Sequence, residues 1–352
     1  MGMTRVQATL RVPGTMPLPA LLTLTQNVEA AGFDGVGILD SQLLCRDTFV
    51  TLGLAAVNTS RLMLFPAVTN PFTRHVSVLA SAVQSVDELA PGRTKVVIGT
   101  GYTSAHTIGR KPATLAEMRA CITELRALLA GQAVDFGTTS GRLAYASGRH
   151  IPVLMAASGP KAIELAGEIA DGVMLSVGFH RGIVDAVLGH LAEGARRGGR
   201  RLEDLEIIWT VRVGIAASTA EARRQARPNV VHQAILSPRS HWAGYAGLSL
   251  SLPRFEIPPA VRNIYPDLSH ARDWEQAIEA TSFVPDEVIA QLCDTFGLVG
   301  TAEHCARRIM EMTGAGVTNL YVQAFQTFVG PEAEIRAFRD EVFPRLQAAG
   351  YR

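Results

Sequence analysis

The segment PVLMAASGPKAIELAGEIADGVMLSV, residues 152–177, decides the fold, because it holds one full repeat of the chain's architecture. An apolar run at 152–157 is followed at once by Ser158-Gly159-Pro160, then by a helical stretch at 161–170, then by a second apolar run at 172–177. Two short buried strands joined by one helix read as a βαβ unit, and parallel strands need such a crossover.

The same alternation extends in both directions. Upstream lie β-type runs at 6–10, 36–39, 62–69 and 94–99, followed by helical patterns at 18–31, 49–58, 76–89 and 114–130. Downstream, a helix at 183–197 leads to a run at 205–216 and a helix at 219–226; a helix at 301–313, a run at 317–324 and a final helix at 331–349 complete the series. Eight β runs with seven or eight helices predict an α/β fold, a single (β/α)8 TIM barrel over residues 1–352, rather than an open doubly wound sheet of five or six strands. Residues 228–297 break the rhythm. They are rich in Ser, Pro, Tyr and Trp, show no clear strand, and are too long for an ordinary connection, so they predict an insertion forming a lid or pocket wall, with Trp242, Tyr245 and Phe255 roofing it.

Composition narrows the function. Lys plus Arg (33) nearly equals Asp plus Glu (32), so the chain lacks the basic footprint of a nucleic-acid or anionic-membrane binder, and a small-molecule substrate is favoured. Cys45, Cys121, Cys293 and Cys305 are scattered without CxxC spacing, which gives neither a zinc site nor a disulfide framework. No apolar stretch approaches a membrane span and the N-terminus has no signal-like core, so a cytoplasmic protein is expected.

In a barrel the chemistry sits on the loops after the strands. Those loops carry Asp40-Ser41, Thr69-Asn70, the stretch Gly99-Thr100-Gly101-Tyr102-Thr103-Ser104, Ser158-Gly159-Pro160-Lys161, and Ser176-Val177-Gly178. Ser158-Gly159-Pro160 has two readings: a phosphate cradle, in which Gly159 opens the helix N-terminus to an anion and Lys161 adds charge, or a plain helix start with Ser158 as cap. Gly99-Thr100-Gly101 lacks the third glycine of a dinucleotide fingerprint; it leaves room for a flat ring or merely softens a loop. Asp40, at a buried strand end, needs a partner or serves as a cap. Arg74-His75 fits an anion site or a solvated helix start, and His106 a phosphate contact or a structural role. No Ser-His-Asp order, HExxH motif or paired carboxylates support hydrolysis or metal catalysis.

Several segments in order resemble the luciferase-like family of flavin and deazaflavin oxidoreductases. They are residues 31–41 (AGFDGVGILDS), 67–75 (AVTNPFTRH), 87–93 (DELAPGR), the loop 99–109, residues 156–160 (AASGP), 170–173 (ADGV) and 297–301 (GLVGT). The resemblance implies a (β/α)8 barrel with flavin across the strand ends. Its phosphate would be held by Ser158, Gly159 and Pro160 and by His106. A non-proline cis peptide is expected near Ala67-Val68, behind the ring. The implied cofactor contacts are Ala67, Val68, Thr69, Asn70, Gly101, Tyr102, Thr103, Ser104, His106, Ser158, Gly159, Pro160, Lys161, Ser176, Val177 and Gly178. Two positions depart from the family: Gly101-Tyr102-Thr103 stands where many deazaflavin reductases read Gly-Asp-Ser, and Ser41 where several relatives have His.

The leading expectation is a two-component monooxygenase using oxygen and reduced FMN supplied by a separate reductase, with Asp40, Asn70 and Tyr102 orienting flavin or substrate. A deazaflavin (coenzyme F-420) reductase or dehydrogenase is the alternative, and a non-catalytic flavin-binding subunit the third. A homodimer is implied by the family, and no metal, nucleic acid or membrane partner is expected.

Overall fold

The computed structural model describes residues 4–236, 238–247, 256–265 and 267–352. Its strands are β1 (Gln7–Val12), β2 (Gly35–Ile38), β3 (Met63–Pro66), β4 (Val96–Ile98), β5 (Val134–Asp135), β6 (Ser140–Gly141), β7 (Val153–Ala157), β8 (Gly172–Leu175), β9 (Glu206–Ile215), β10 (Gly297–Gly300) and β11 (Asn319–Ala324). The main sheet runs β3-β2-β1-β11-β9-β8-β7-β4, and β10 pairs with β9 outside that path. Bridges Leu64–Thr94 and Thr69–Ile98 join β3 to β4, the two ends of the order. An eight-strand order whose end strands pair, with helices between successive strands, is a (β/α)8 barrel.

Each of the eight predicted β runs coincides with a main-sheet strand, with ends that differ by a few residues. Three strands went unread. The pair β5 and β6 is two residues per strand, antiparallel, and β10 closes the 228–297 stretch.

The chain forms two compact units, each described in turn. One comprises Ala8–Leu175 and His190–Ile208. Its short strands, such as Val96-Val97-Ile98 and Val153-Leu154-Met155, are buried residue after residue, as parallel strands covered on both faces must be. Its helices start where the sequence supplies caps: Asp47 accepts from the Phe49 and Val50 amides ahead of helix Thr48–Asn58, and Thr114 with Glu117 forms a capping box ahead of helix Leu115–Leu129. Lys95, on the strand side of this unit, pairs with Glu206.

The other unit comprises Ser176–Gly189 and Trp209–Arg352 with the N-terminal segment up to Gln7. Here the predicted helix at 219–226 runs on to Val231, through Pro228, and continues as a π-helical turn His232–Leu236. A proline inside a helix removes a hydrogen bond, yet Asn229, Val230 and Val231 are all buried, so packing overrides the local signal. The stretch expected as an insertion is helical, with Pro259–Arg262, Trp274–Ala280 and Asp286–Phe296. It packs a second core in which Trp274, Val284, Ile289, Leu292 and Phe296 meet Ala222, Ala226 and Val230. Trp242 is fully buried, Tyr245 is half exposed with its ring 5.5 Å from the Trp242 ring, and Phe255 lies outside the described residues.

Candidate active site at the carboxyl ends of the strands

Within the first unit the loops after β2, β3 and β4 are tied to one another. β3 leads into Ala67-Val68-Thr69-Asn70, and the Ala67–Val68 peptide bond is cis, at the place the family resemblance implies. Around it the backbone is fully engaged: the Ala67 amide donates to Ile38 O at 2.7 Å, the Thr69 amide to Val97 O at 3.1 Å, and the Gly99 amide to Thr69 O at 2.9 Å. Gly99 is required here, because a Cβ would stand 2.7 Å from Val68 Cγ2.

Asn70 is completely buried. Its Oδ1 accepts from the Phe72 and Thr73 amides at 2.9 and 3.1 Å, and its Nδ2 donates to Ser104 Oγ at 2.9 Å. The side chain thus shapes the turn after β3 and staples it to the loop after β4. Gly101 faces the same side chain with φ +79°, and a Cβ would lie 2.9 Å from Asn70 Cβ. These contacts make Asn70 a residue that positions the loops after β3 and β4.

Asp40 ends β2 with only 2% of its side chain exposed. It does not cap the next helix, which is the work of Asp47. Arg74 Nη1 donates to Asp40 Oδ2 at 2.7 Å, Arg74 Nη2 donates to Asp47 Oδ2 at 2.6 Å, and Gln42 Nε2 donates to Asp40 Oδ1 at 3.0 Å. Burial pushes the Asp40 carboxyl above the ordinary aspartate value, against the pull of the Arg74 guanidinium and the Thr69 hydroxyl; the Asp47 charge adds to the rise. Asp47 shows the opposite balance: its own burial raises it, but Arg74 and the Val50 and Phe49 amides outweigh that, so it is lowered. A buried carboxylate at a strand end with a raised pKa has the attributes of a proton acceptor. Of the two readings of Arg74-His75, an anion site and a solvated helix start, each residue takes one. That start belongs to His75, whose ring accepts from the Ser77 amide, while Arg74 turns back to the two aspartates.

The loop after β4 forms a short helix, Tyr102–His106. Tyr102 is 68% exposed and stacks edge-on against His106, with centroids 4.8 Å apart; Thr103 is half-buried and Ser104 buried. Arg110 and Lys111 follow, and the Arg110 guanidinium lies 4.7 Å from the Phe72 ring centroid. After β7, the N-cap of helix Pro160–Ile169 is Gly159, not Ser158, and no side chain caps it among the described residues. A Cβ on Gly159 would meet nothing within 4 Å. Pro160, in the first turn, has no N–H to satisfy, and Lys161 follows it in that turn. Among the described residues no group of His, Cys, Asp and Glu could hold a metal, and no helix is long and apolar enough to cross a membrane.

Ser176, Val177 and Gly178 belong to the second unit. Val177 is buried, and Gly178, at φ +139°, accepts from Trp209 Nε1 at 2.6 Å while a Cβ there would meet Ile183 Cδ1 at 2.8 Å. These contacts build the core of that unit.

Comparison with known proteins agrees with this architecture. A family model described as luciferase-like monooxygenase matches residues 2–319. The 5,10-methylenetetrahydromethanopterin reductase of Methanolobus tindarius is 28% identical over 304 residues, covering 83% of this chain and 86% of that protein. The enzyme of the same name from Archaeoglobus fulgidus is 28% identical over 91% of this chain and 93% of its own. An F420-dependent glucose-6-phosphate dehydrogenase of Beutenbergia cavernae is 33% identical over 59% of this chain and 67% of its own. Among solved structures, the coenzyme F420 dependent tetrahydromethanopterin reductase of Methanopyrus kandleri superposes with a TM-score of 0.78 at 22% identity, over 97% of this chain and 99% of that one, a likeness of fold. The chain belongs to the luciferase-like monooxygenase family of oxidoreductases.

Proposed function

We propose that the protein is a deazaflavin-dependent (coenzyme F420) oxidoreductase acting on a small organic substrate. The observation that carries this reading over the FMN monooxygenase is that relatives matching more than four-fifths of the chain are reductases whose solved counterpart is F420-dependent; another relative is named for F420 itself.

The residues fit such a group. The uncapped first turn at Gly159, with open space where a Cβ would stand, suits a phosphate, and Lys161 adds a positive charge. The near-neutral net charge hides a local cluster: His106, Arg110 and Lys111 fall within six residues and are exposed, which suits an acidic tail. Gly99, where a Cβ would stand 2.7 Å from Val68 Cγ2, and the small residue Ala67 suit the close approach of a flat ring. A bound deazaflavin supplies hydride transfer, two electrons and a proton moved together, without oxygen. The chain's own work is to hold the ring, keep water from it, and handle the substrate's remaining proton. Asp40 is placed for the last task, and Asn70, Ser104 and Gly101 set the loops around it. Tyr102 and His106, exposed and stacked on each other, are available to contact cofactor or substrate.

The test is stopped-flow mixing of the reduced cofactors with the protein in air. Bound reduced F420 that persists without oxygen consumption supports the reading; rapid reoxidation of bound reduced FMN with a peroxide-type absorbance would return the monooxygenase to first place.

A further inference from the structure

The loops after β2 and β3 are joined at Arg74. Its two arms reach Asp40 at 2.7 Å and Asp47 at 2.6 Å, and its guanidinium carbon lies 5.0 Å from the Phe49 ring centroid. Side-chain exposure is 2% for Asp40, 14% for Arg74 and 49% for Asp47. The Asp40 pair is therefore shielded from salt and water, while the Asp47 pair is screened. A planar guanidinium can hold two carboxylates in fixed directions at once; an ammonium, a point charge on a flexible stem, cannot. Asp47 is itself fixed, since its Oδ1 accepts from the Phe49 and Val50 amides at 2.9 and 3.1 Å. Asp40 is thus linked through Arg74 to the N-terminus of helix Thr48–Asn58.

We propose that Arg74 is the positioning residue of the reaction centre: it occupies Oδ2 of Asp40, leaves Oδ1 as the oxygen that exchanges a proton with substrate, and anchors that carboxylate to the start of helix Thr48–Asn58. Oδ1 now accepts from the Gln42 amide at 3.0 Å, a neutral partner that a substrate hydroxyl can replace. The assignment rests on the redox reading of this rim. For a substrate alcohol, the C–H electron pair would leave as hydride to oxidised deazaflavin, the O–H proton would pass to Asp40 Oδ1, and a carbonyl would form. Such an acceptor must be ionised at working pH. Besides burial, the groups that set its charge are Arg74 and the Thr69 hydroxyl from the loop after β3, which favour the ionised form, and Asp47 from its own loop, which opposes it; the Cys45 thiol, raised by its own burial and by Asp40 and lowered by Arg11 on β1, stays neutral beside it.

The experiment is a carbon-13 NMR titration of the Asp40 carboxyl in the full chain without cofactor, for wild type, R74Q and R74K. Wild-type Asp40 should be half-titrated at acidic pH. R74Q should raise that midpoint by about 1–3 units, the usual effect of an adjacent guanidinium on an aspartate, and R74K, which restores the charge, should bring most of the shift back. An unchanged midpoint in R74Q would overturn the proposal, because an arginine that holds Oδ2 of Asp40 must favour its ionised form. If R74Q does not fold, the wild-type titration still decides: an Asp40 carboxyl protonated at neutral pH overturns the assignment. Fluorescence titration of the same wild-type sample with F420 reports separately on the cofactor reading, so failure to bind F420 is distinguishable from failure of the Arg74 assignment.

Discussion

Gly159→Asp separates the phosphate cradle from a simple helix start, because both readings expect it to stabilise the helix and only the cradle expects it to weaken phosphate binding. Gly159 has φ −100° and ψ 151°, open to any residue, and no atom within 4 Å of a built Cβ. An aspartate there becomes a better N-cap than glycine, by a few tenths of a kcal/mol. Its charge against the helix dipole adds about 0.3–1 kcal/mol, for a gain on the order of 1 kcal/mol in unfolding free energy, read as a higher urea midpoint. A bound phosphate would meet the new carboxylate. Two unit charges about 4 Å apart repel by about 4 kcal/mol at an effective dielectric constant of about 20. Water at the rim reduces that, and even about 1.4–2.8 kcal/mol of surviving repulsion weakens F420 binding about 10- to 100-fold. Gly159→Ala is the control, expected to fold as well as wild type. The assays are urea unfolding and fluorescence titration with F420. A Gly159→Asp protein that is stabilised yet binds F420 as tightly as wild type would refute the cradle.

Three other perturbations test the surrounding structure. Gly101→Ala forces a side chain into φ +79° with its Cβ 2.9 Å from Asn70 Cβ, and should lower stability by about 1–3 kcal/mol in chemical denaturation; a neutral result would mean the turn tolerates side chains. Trp209→Phe leaves the Gly178 carbonyl without its indole donor at 2.6 Å and should cost about 1–3 kcal/mol; the idea fails if the urea midpoint is unchanged. Glu29 accepts from the Ser60, Arg61 and Leu62 amides. Burial raises its pKa, but those amides and Arg61 outweigh burial and leave it below the ordinary 4.5. The stability it contributes is therefore present above the unfolded glutamate value and lost as pH falls through the folded one, so the gap between wild type and Glu29→Gln should close on acidification; a gap independent of pH would contradict this.

The barrel was legible because its signal is local. Most main-sheet strands are short apolar runs such as Val153–Ala157, and several helix starts carry their own cap, as at Thr114 with Glu117. What escaped is shorter or non-local. Gly297-Leu298-Val299-Gly300 is four residues flanked by glycine and gains its strand character only by pairing with Arg212 to Ile215 of β9. Helix Thr219–Val231 passes Pro228 because its last residues are buried, a tertiary effect invisible to propensity. The same division holds in the site. Asp40, Asn70 and Gly159 stand out by their places after apolar runs, and Arg74 stands out as an anion site or a helix start, but its pairing with Asp40 and Asp47 is not legible, since they lie 34 and 27 residues upstream. Ser158 looked like the cap because serine is a frequent one; the helix begins one residue later. Net charge averages over the chain, so the exposed local grouping of His106, Arg110 and Lys111 does not register in it.

The central claim is cofactor choice, and equilibrium fluorescence titration of the purified chain with F420 and with FMN, side by side, tests it most directly. Saturable binding of F420, with FMN weaker by tenfold or more, is the expected result. Tight binding of FMN with none of F420, or of neither, would contradict the account.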